Sequence, residues 1–413
     1  MRTSFGRLGL ALTVATGLAA AGGCAEDDEP VDSHPILVER TAGAFVAPVR
    51  VDGEAARVAV IDVLSPLTVL DQDAALAPAR RTVDLDLLAP RSATDLTQIV
   101  RGQWRATVID LHPCDPGIDC AIGAAGQPRP IGAIIGADVL RSRAIGFEPA
   151  TDRIRLLPDV AGDAAARARA CDVVVPAPFY GGGTLRLGDT EVGFAGTRIA
   201  LGVCLSPDPA AATLEERGTD AALVLSTGIG LSILGEARYQ AWAAATGGPA
   251  LDSLPPATAL LPSGPVAGRL GRIDRLAIVG TSTAPRGACR EVYAHHLLAE
   301  RDCQPGDDCP CSADEGRSCR VAGIAELTPA TPVEVVVVSD QHPLLQALRA
   351  ELRPDQPEVD GILGMNALAA TAFDVDYPNL RLLLRCVVAG CVARPALIDS
   401  RESVARCIAA APT

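Results

Sequence analysis

Two stretches of this chain follow one plan, and that repetition limits the folds open to it. Residues 57–70 read RVAVIDVLSPLTVL and residues 221–234 read AALVLSTGIGLSIL. Each is an apolar run, rich in β-branched residues, that meets a small polar knot and then resumes. That pattern predicts strand, tight turn, strand. The knot is Asp62-Val63-Leu64-Ser65 in the first copy and Ser226-Thr227-Gly228 in the second. A second pair of echoes follows in the same order. Ile131-Gly132-Ala133-Ile134-Ile135-Gly136-Ala137-Asp138-Val139-Leu140 recurs as Asp360-Gly361-Ile362-Leu363-Gly364-Met365-Asn366-Ala367-Leu368. Extended acidic-aromatic segments come next in both halves, AIGFEPATDRIRLL at 144–157 and AFDVDYPNLRLLL at 372–384. The 413 residues are therefore expected to form two lobes with related folds, not two unrelated domains.

A knot of the form hydrophobic-hydrophobic-Asp-Thr-Gly-Ser/Ala on a strand, followed by hydrophobic-Gly-hydrophobic-hydrophobic-Gly and a short helix, resembles the aspartic peptidases of the pepsin and retropepsin type. The resemblance implies a mainly β, bilobal pepsin-like fold in which each lobe lends one turn to a shared cleft. On that plan 41–160 form the N-terminal lobe, 161–170 a connector and 171–391 the C-terminal lobe. A Cys-rich insertion at 284–320 and a tail at 392–413 complete the plan. The gap between knot and glycine echo is much longer in the second half, and the insertion fills it. The resemblance also places a flap hairpin in 81–110, where Trp104 is the nearby aromatic; its expected role is packing.

Peptide hydrolysis by two carboxylates needs one ionised Asp to take a proton from water while a protonated Asp donates to the carbonyl oxygen. The resemblance assigns Asp62 to one of these places and puts Ser226 at the other. A serine hydroxyl can hydrogen-bond a carboxylate but is too weak an acid to share its proton. Val63 and Leu64 stand where the family carries Thr and Gly, whereas the second turn keeps Thr227 and Gly228 and has lost the acid. Ser65 completes the first turn. Loss of general acid-base catalysis alone costs roughly 10²–10⁴-fold. Asp71 and Asp220 are expected too far along extended chain to replace the missing acid. Asp138, Asp374 and Asp376 are expected as solvated or capping carboxylates.

Arg2 and Arg7 precede an apolar run that ends at Gly22-Gly23-Cys24. This is the layout of an export signal. The Cys after small residues resembles a bacterial lipoprotein signal, which implies 1–23 as signal peptide, lipidation at Cys24, an acidic tether over 24–40 and a membrane anchor. Ala25 lacks the Asp that holds some lipoproteins at the inner membrane, so the outer membrane is the favoured location. Of 13 cysteines, the remainder after Cys24 is even, and disulfides are expected in an exported chain. The pairs Cys114/Cys120 and Cys386/Cys391 could each close a small loop. The connectivity of Cys171, Cys204, Cys289 and Cys407 stays open.

A net charge of −14 with 3% aromatic residues argues against a nucleic-acid partner. The chain contains no Lys, so its fixed positive charge is all Arg. The knot of Cys303, Cys309, Cys311 and Cys319 fits disulfides better than a metal, His295-His296 has no acid at tell-tale spacing, and Gly228 with Gly230 makes no dinucleotide fingerprint. No cofactor and no metal are expected. The expected function is non-catalytic binding of an extended peptide or protein segment in the inter-lobe cleft. Two alternatives stand beside it: an active aspartic endopeptidase using Asp62 with a non-Asp partner, and a structural or assembly lipoprotein that acts through its disulfide-rich insertion.

Overall fold

The computed structural model describes residues 35–37, 39–41, 43–72, 79–90, 96–109, 111, 131–157, 173–176, 179–187, 190–205, 219–262, 264–279, 319–328, 332–352 and 358–398. Cys24, the signal segment, most of the acidic tether, the connector, Cys114/Cys120, His295-His296 and nearly all of the Cys-rich insertion lie outside them. The described chain is mainly β, with short helices at Ala137–Leu140, Glu236–Thr246 and Pro343–Ala350. It has the bilobal, pepsin-like arrangement expected from the repeats.

In the first lobe the strand Ala44–Val51 turns through Asp52 and Gly53, both at positive φ, and pairs antiparallel with Arg57–Ile61. The strand Ala133–Ile135 lies parallel to Arg57–Ile61 and antiparallel to Val69–Asp71. It is thus wedged between the two arms that leave the Asp62 turn. The long hairpin of Ala79–Pro90 and Leu96–Ile109 continues the sheet and returns to Ala44–Val51, closing it on itself. The second lobe repeats this layout. Gly361–Leu363 runs parallel to Thr219–Leu225 and antiparallel to Ser232–Gly235, around the Ser226 turn. Among the described strands its sheet does not close on itself. Arg198–Leu205 pairs onward with Leu276–Val279, then Cys319–Thr328, then Val392–Ile398. The opening residues of the expected tail are therefore a sheet strand, and the strands Leu276–Val279 and Cys319–Thr328, either side of most of the insertion's span, pair with each other.

Backbone pairing shifts the glycine echo by one residue from the alignment suggested by sequence. Ala133 faces Ala59 as Gly361 faces Leu223, and Ile135 and Leu363 accept from the amides of Asp62 and Ser226. Gly136 therefore matches Gly364, and the partner of Gly361 is Ala133. The same matching pairs two polar clasps. Thr68 Oγ1 donates to Asp138 Oδ1 at 2.7 Å and accepts from Gly136 N, while Ser232 Oγ donates to Asn366 Oδ1 at 2.8 Å and accepts from Gly364 N.

A six-stranded sheet joins the lobes, each giving three strands: Pro35–Leu37, Arg153–Leu157 and Ala144–Glu148 from one, Thr371–Asp376, Arg381–Cys386 and Val173–Pro176 from the other. At its centre Phe147 faces Phe373, their rings stacked 5.0 Å apart. Every residue of Thr371–Asp376 is buried, so this central strand is covered on both faces. Asp374 and Asp376 are therefore not solvated, whereas Asp376 has the capping role that was the other expectation, accepting from Asn379 N at 3.3 Å. Asp376 accepts from Asn379 Nδ2 at 2.8 Å and pairs with Arg381 at 3.0 Å. Glu148, equally buried, pairs with Arg155 at 2.7 Å.

The helix Glu236–Thr246 buries Tyr239 and Trp242, while Ala237 and Ala245 are exposed. The two large rings, three residues apart, decide which side turns inward. The helix Pro343–Ala350 starts at His342, whose Nδ1 accepts from Leu344 N at 3.2 Å, and buries Leu345 and Leu348. Cys386 and Cys391 are disulfide-bonded, and Cys204 is also in a disulfide.

Candidate functional site

The two knots meet where the lobes face each other. Asp62 and Ser226 are buried, 4% and 0% exposed. Asp62 Oδ1 accepts from Ser226 Oγ at 2.9 Å, from Leu64 N at 3.0 Å and from the amides of Thr227 and Gly228 at 3.2 Å each. Burial, which penalises the charged form, raises the Asp62 pKa above the ordinary carboxylate value. The Leu64 amide, the Ser226 hydroxyl, the Gly228 amide and the positive charge of Arg198 oppose that rise.

Thr227 does the work of joining the turns. Its Oγ1 donates to Ile61 O at 2.7 Å and accepts from Val63 N at 3.1 Å. Val63 has no hydroxyl to return the grip and is buried in the core. Gly228 is required by close approach, because a Cβ there would lie 2.7 Å from Asp62 Cγ. Ser65 does not bond to the carboxylate; its Oγ donates to Leu67 O at 2.7 Å and its carbonyl accepts from Ala137 N. Asp71 spends its carboxylate on Leu111 N at 2.9 Å.

Sequence reasoning missed a second inter-lobe tie. Leu64 is 7% exposed and belongs to one buried cluster with Tyr180, Val224, Ile229 and Ile362 of the second lobe. Its carbonyl accepts from Arg198 Nη1, and the same guanidinium makes a two-pronged pair with Glu351, in which Nη2 donates to Oε1 at 2.7 Å. Arg198 also lies 5.8 Å from the centroid of the Phe194 ring. The lone signal available in sequence was an arginine beside a run of apolar residues.

The chemistry open to this arrangement is narrow. A carboxylate opposite a hydroxyl can hold a proton or orient a donor, but it offers no second acid to protonate a leaving group. Ser226 Oγ already donates to Asp62 and accepts from Gly228 N at 3.2 Å. A nucleophilic role would require it to reach a substrate carbonyl, which its full burial opposes.

Beside the Asp62 turn, between the lobes, lies a cavity of about 690 Å³. The first lobe lines it with Leu67, Arg80, Trp104 and Arg141, the second with Phe194 and Thr197. Trp104 packs against the core, as expected, with its indole against Gly102, and it also forms part of this cavity wall. Among the described residues no group of three His, Cys, Asp or Glu side chains is placed to hold a metal ion.

No protein-family model and no curated protein matches the chain. Among solved structures it is similar to an aspartic proteinase from Irpex lacteus, at 11% identity and a TM-score of 0.36, over 87% of this chain and 100% of that one. The paired lobes, the two facing turns and the shared six-stranded sheet give the chain its pepsin-like fold.

Proposed function

We propose that this protein uses an aspartic-peptidase-like fold to bind an extended polypeptide segment in its inter-lobe cleft without cutting it. The observation that carries this is the 2.9 Å bond between Asp62 and Ser226. It occupies the place where a hydrolytic pair would share a proton between two acids. The cavity beside the turn supports the binding half of the proposal, since its volume falls within the usual range for ligand sites, about 300–1,000 Å³. Lipid anchoring at Cys24, in the cell envelope and at the outer membrane by preference, belongs to the same proposal and rests on the sequence alone.

The test is recovery. The purified chain is incubated with unfolded protein fragments, re-isolated, and the retained peptides are sized by mass spectrometry. Retained fragments should be uncut and should compete with one another for one site. Fragments that shorten with time, at a rate abolished by Asp62→Ala, would support the endopeptidase alternative instead.

A further inference from the structure

We propose that the inter-lobe cavity selects acidic polypeptide segments, with the carboxylates held by Arg80, Arg105 and Arg141. This assignment rests on the cleft-binding function proposed above and names the chemistry of its ligand. Three arginines line the cavity, from both strands of the long first-lobe hairpin and from the residue after the helix Ala137–Leu140. Against them stands one carboxylate, Asp138. That group is already engaged, accepting from Thr68 Oγ1 at 2.7 Å and from Val139 N at 2.9 Å. The cavity is thus locally positive in a chain whose net charge is −14. A cleft of one sign in a surface of the other concentrates ligands of complementary charge.

Guanidinium groups present paired donors that match the two oxygens of a carboxylate. Phe194, Pro66 and Leu67 supply apolar wall between the polar groups. That mixture suits a peptide, in which acidic side chains alternate with apolar contact, better than a small inorganic anion.

The experiment exposes the immobilised full chain to a random library of ten-residue peptides and sequences those retained. Asp or Glu should be enriched about tenfold at one or more positions, the value of one charge-assisted hydrogen bond. The double variant Arg105→Gln/Arg141→Gln changes two exposed side chains and should keep the wild-type circular dichroism while losing that enrichment. Retention of peptides with no acidic bias would overturn the acidic class and leave cleft binding intact. Retention of no peptide at all would sink both, and saturable binding of inorganic phosphate in that case would reassign the arginines to a phosphate site. Acidic enrichment that survives in the double variant would remove the assignment from this cavity.

Discussion

Asp62 of the first lobe and Ser226 of the second are joined by a direct hydrogen bond of 2.9 Å, buried at the lobe interface. Four donors converge on the same carboxylate oxygen, three of them from the second lobe. Asp62 therefore helps to hold the lobes together.

The first prediction concerns pH. Burial raises the Asp62 pKa above its ordinary value of 3.8. Between that value and the folded pKa, the folded chain binds more protons than the unfolded chain. Stability conferred by this group is therefore present below 3.8 and is lost as pH rises through the folded pKa. Asp62→Asn keeps an acceptor oxygen for the four donors and removes the titration. The stability of the variant relative to wild type should rise with pH through this window, as followed by urea unfolding. A difference that falls with pH would contradict the assignment.

Arg198→Ala should destabilise strongly. It leaves the buried Glu351 charge without its paired donors and removes the donor from Leu64 O. Breaking a buried pair from one side costs about 3–5 kcal/mol. Arg198→Lys should recover only part of this, because an ammonium cannot serve both carboxylate oxygens and the carbonyl in one plane. Denaturant midpoints of both variants check the order, and a loss below about 1 kcal/mol for Arg198→Ala, the level of an exposed pair, would contradict it.

Phe373→Ala should cost about 3–5 kcal/mol, the range for removing a large buried ring. Its ring stacks on Phe147 in the sheet shared by the lobes. Unfolding measured by near-ultraviolet and far-ultraviolet circular dichroism should shift together. Loss confined to one lobe would contradict the central place given to this pair.

Much of this was legible in sequence because it is local. Apolar runs around the knots at 62–65 and 226–228 fix strands and turns, and their repetition fixes which turns must meet. The register of the glycine echo was not legible. Gly132 and Gly136 are spaced differently from Gly361 and Gly364, so two alignments compete until backbone pairing decides. Burial of Asp374 and Asp376 was hidden for a related reason: an acidic residue on a strand reads as solvated unless the strand is known to be covered on both faces. The tie from Arg198 to Leu64 and Glu351 joins residues distant in sequence and carries no motif. Leu64 shows the cost of judging a residue by what it replaces, since its side chain serves as an inter-lobe contact in its own right.

The most direct measurement of the central claim is proteolysis between pH 3 and 7 by the wild type, by Asp62→Ala, and by the triple variant Val63→Thr/Leu64→Gly/Ser226→Asp. The wild type should show no Asp62-dependent cleavage at any pH, and the triple variant, folded as the wild type is, should gain acid-optimum cleavage. Cleavage by the wild type that disappears in Asp62→Ala would contradict it.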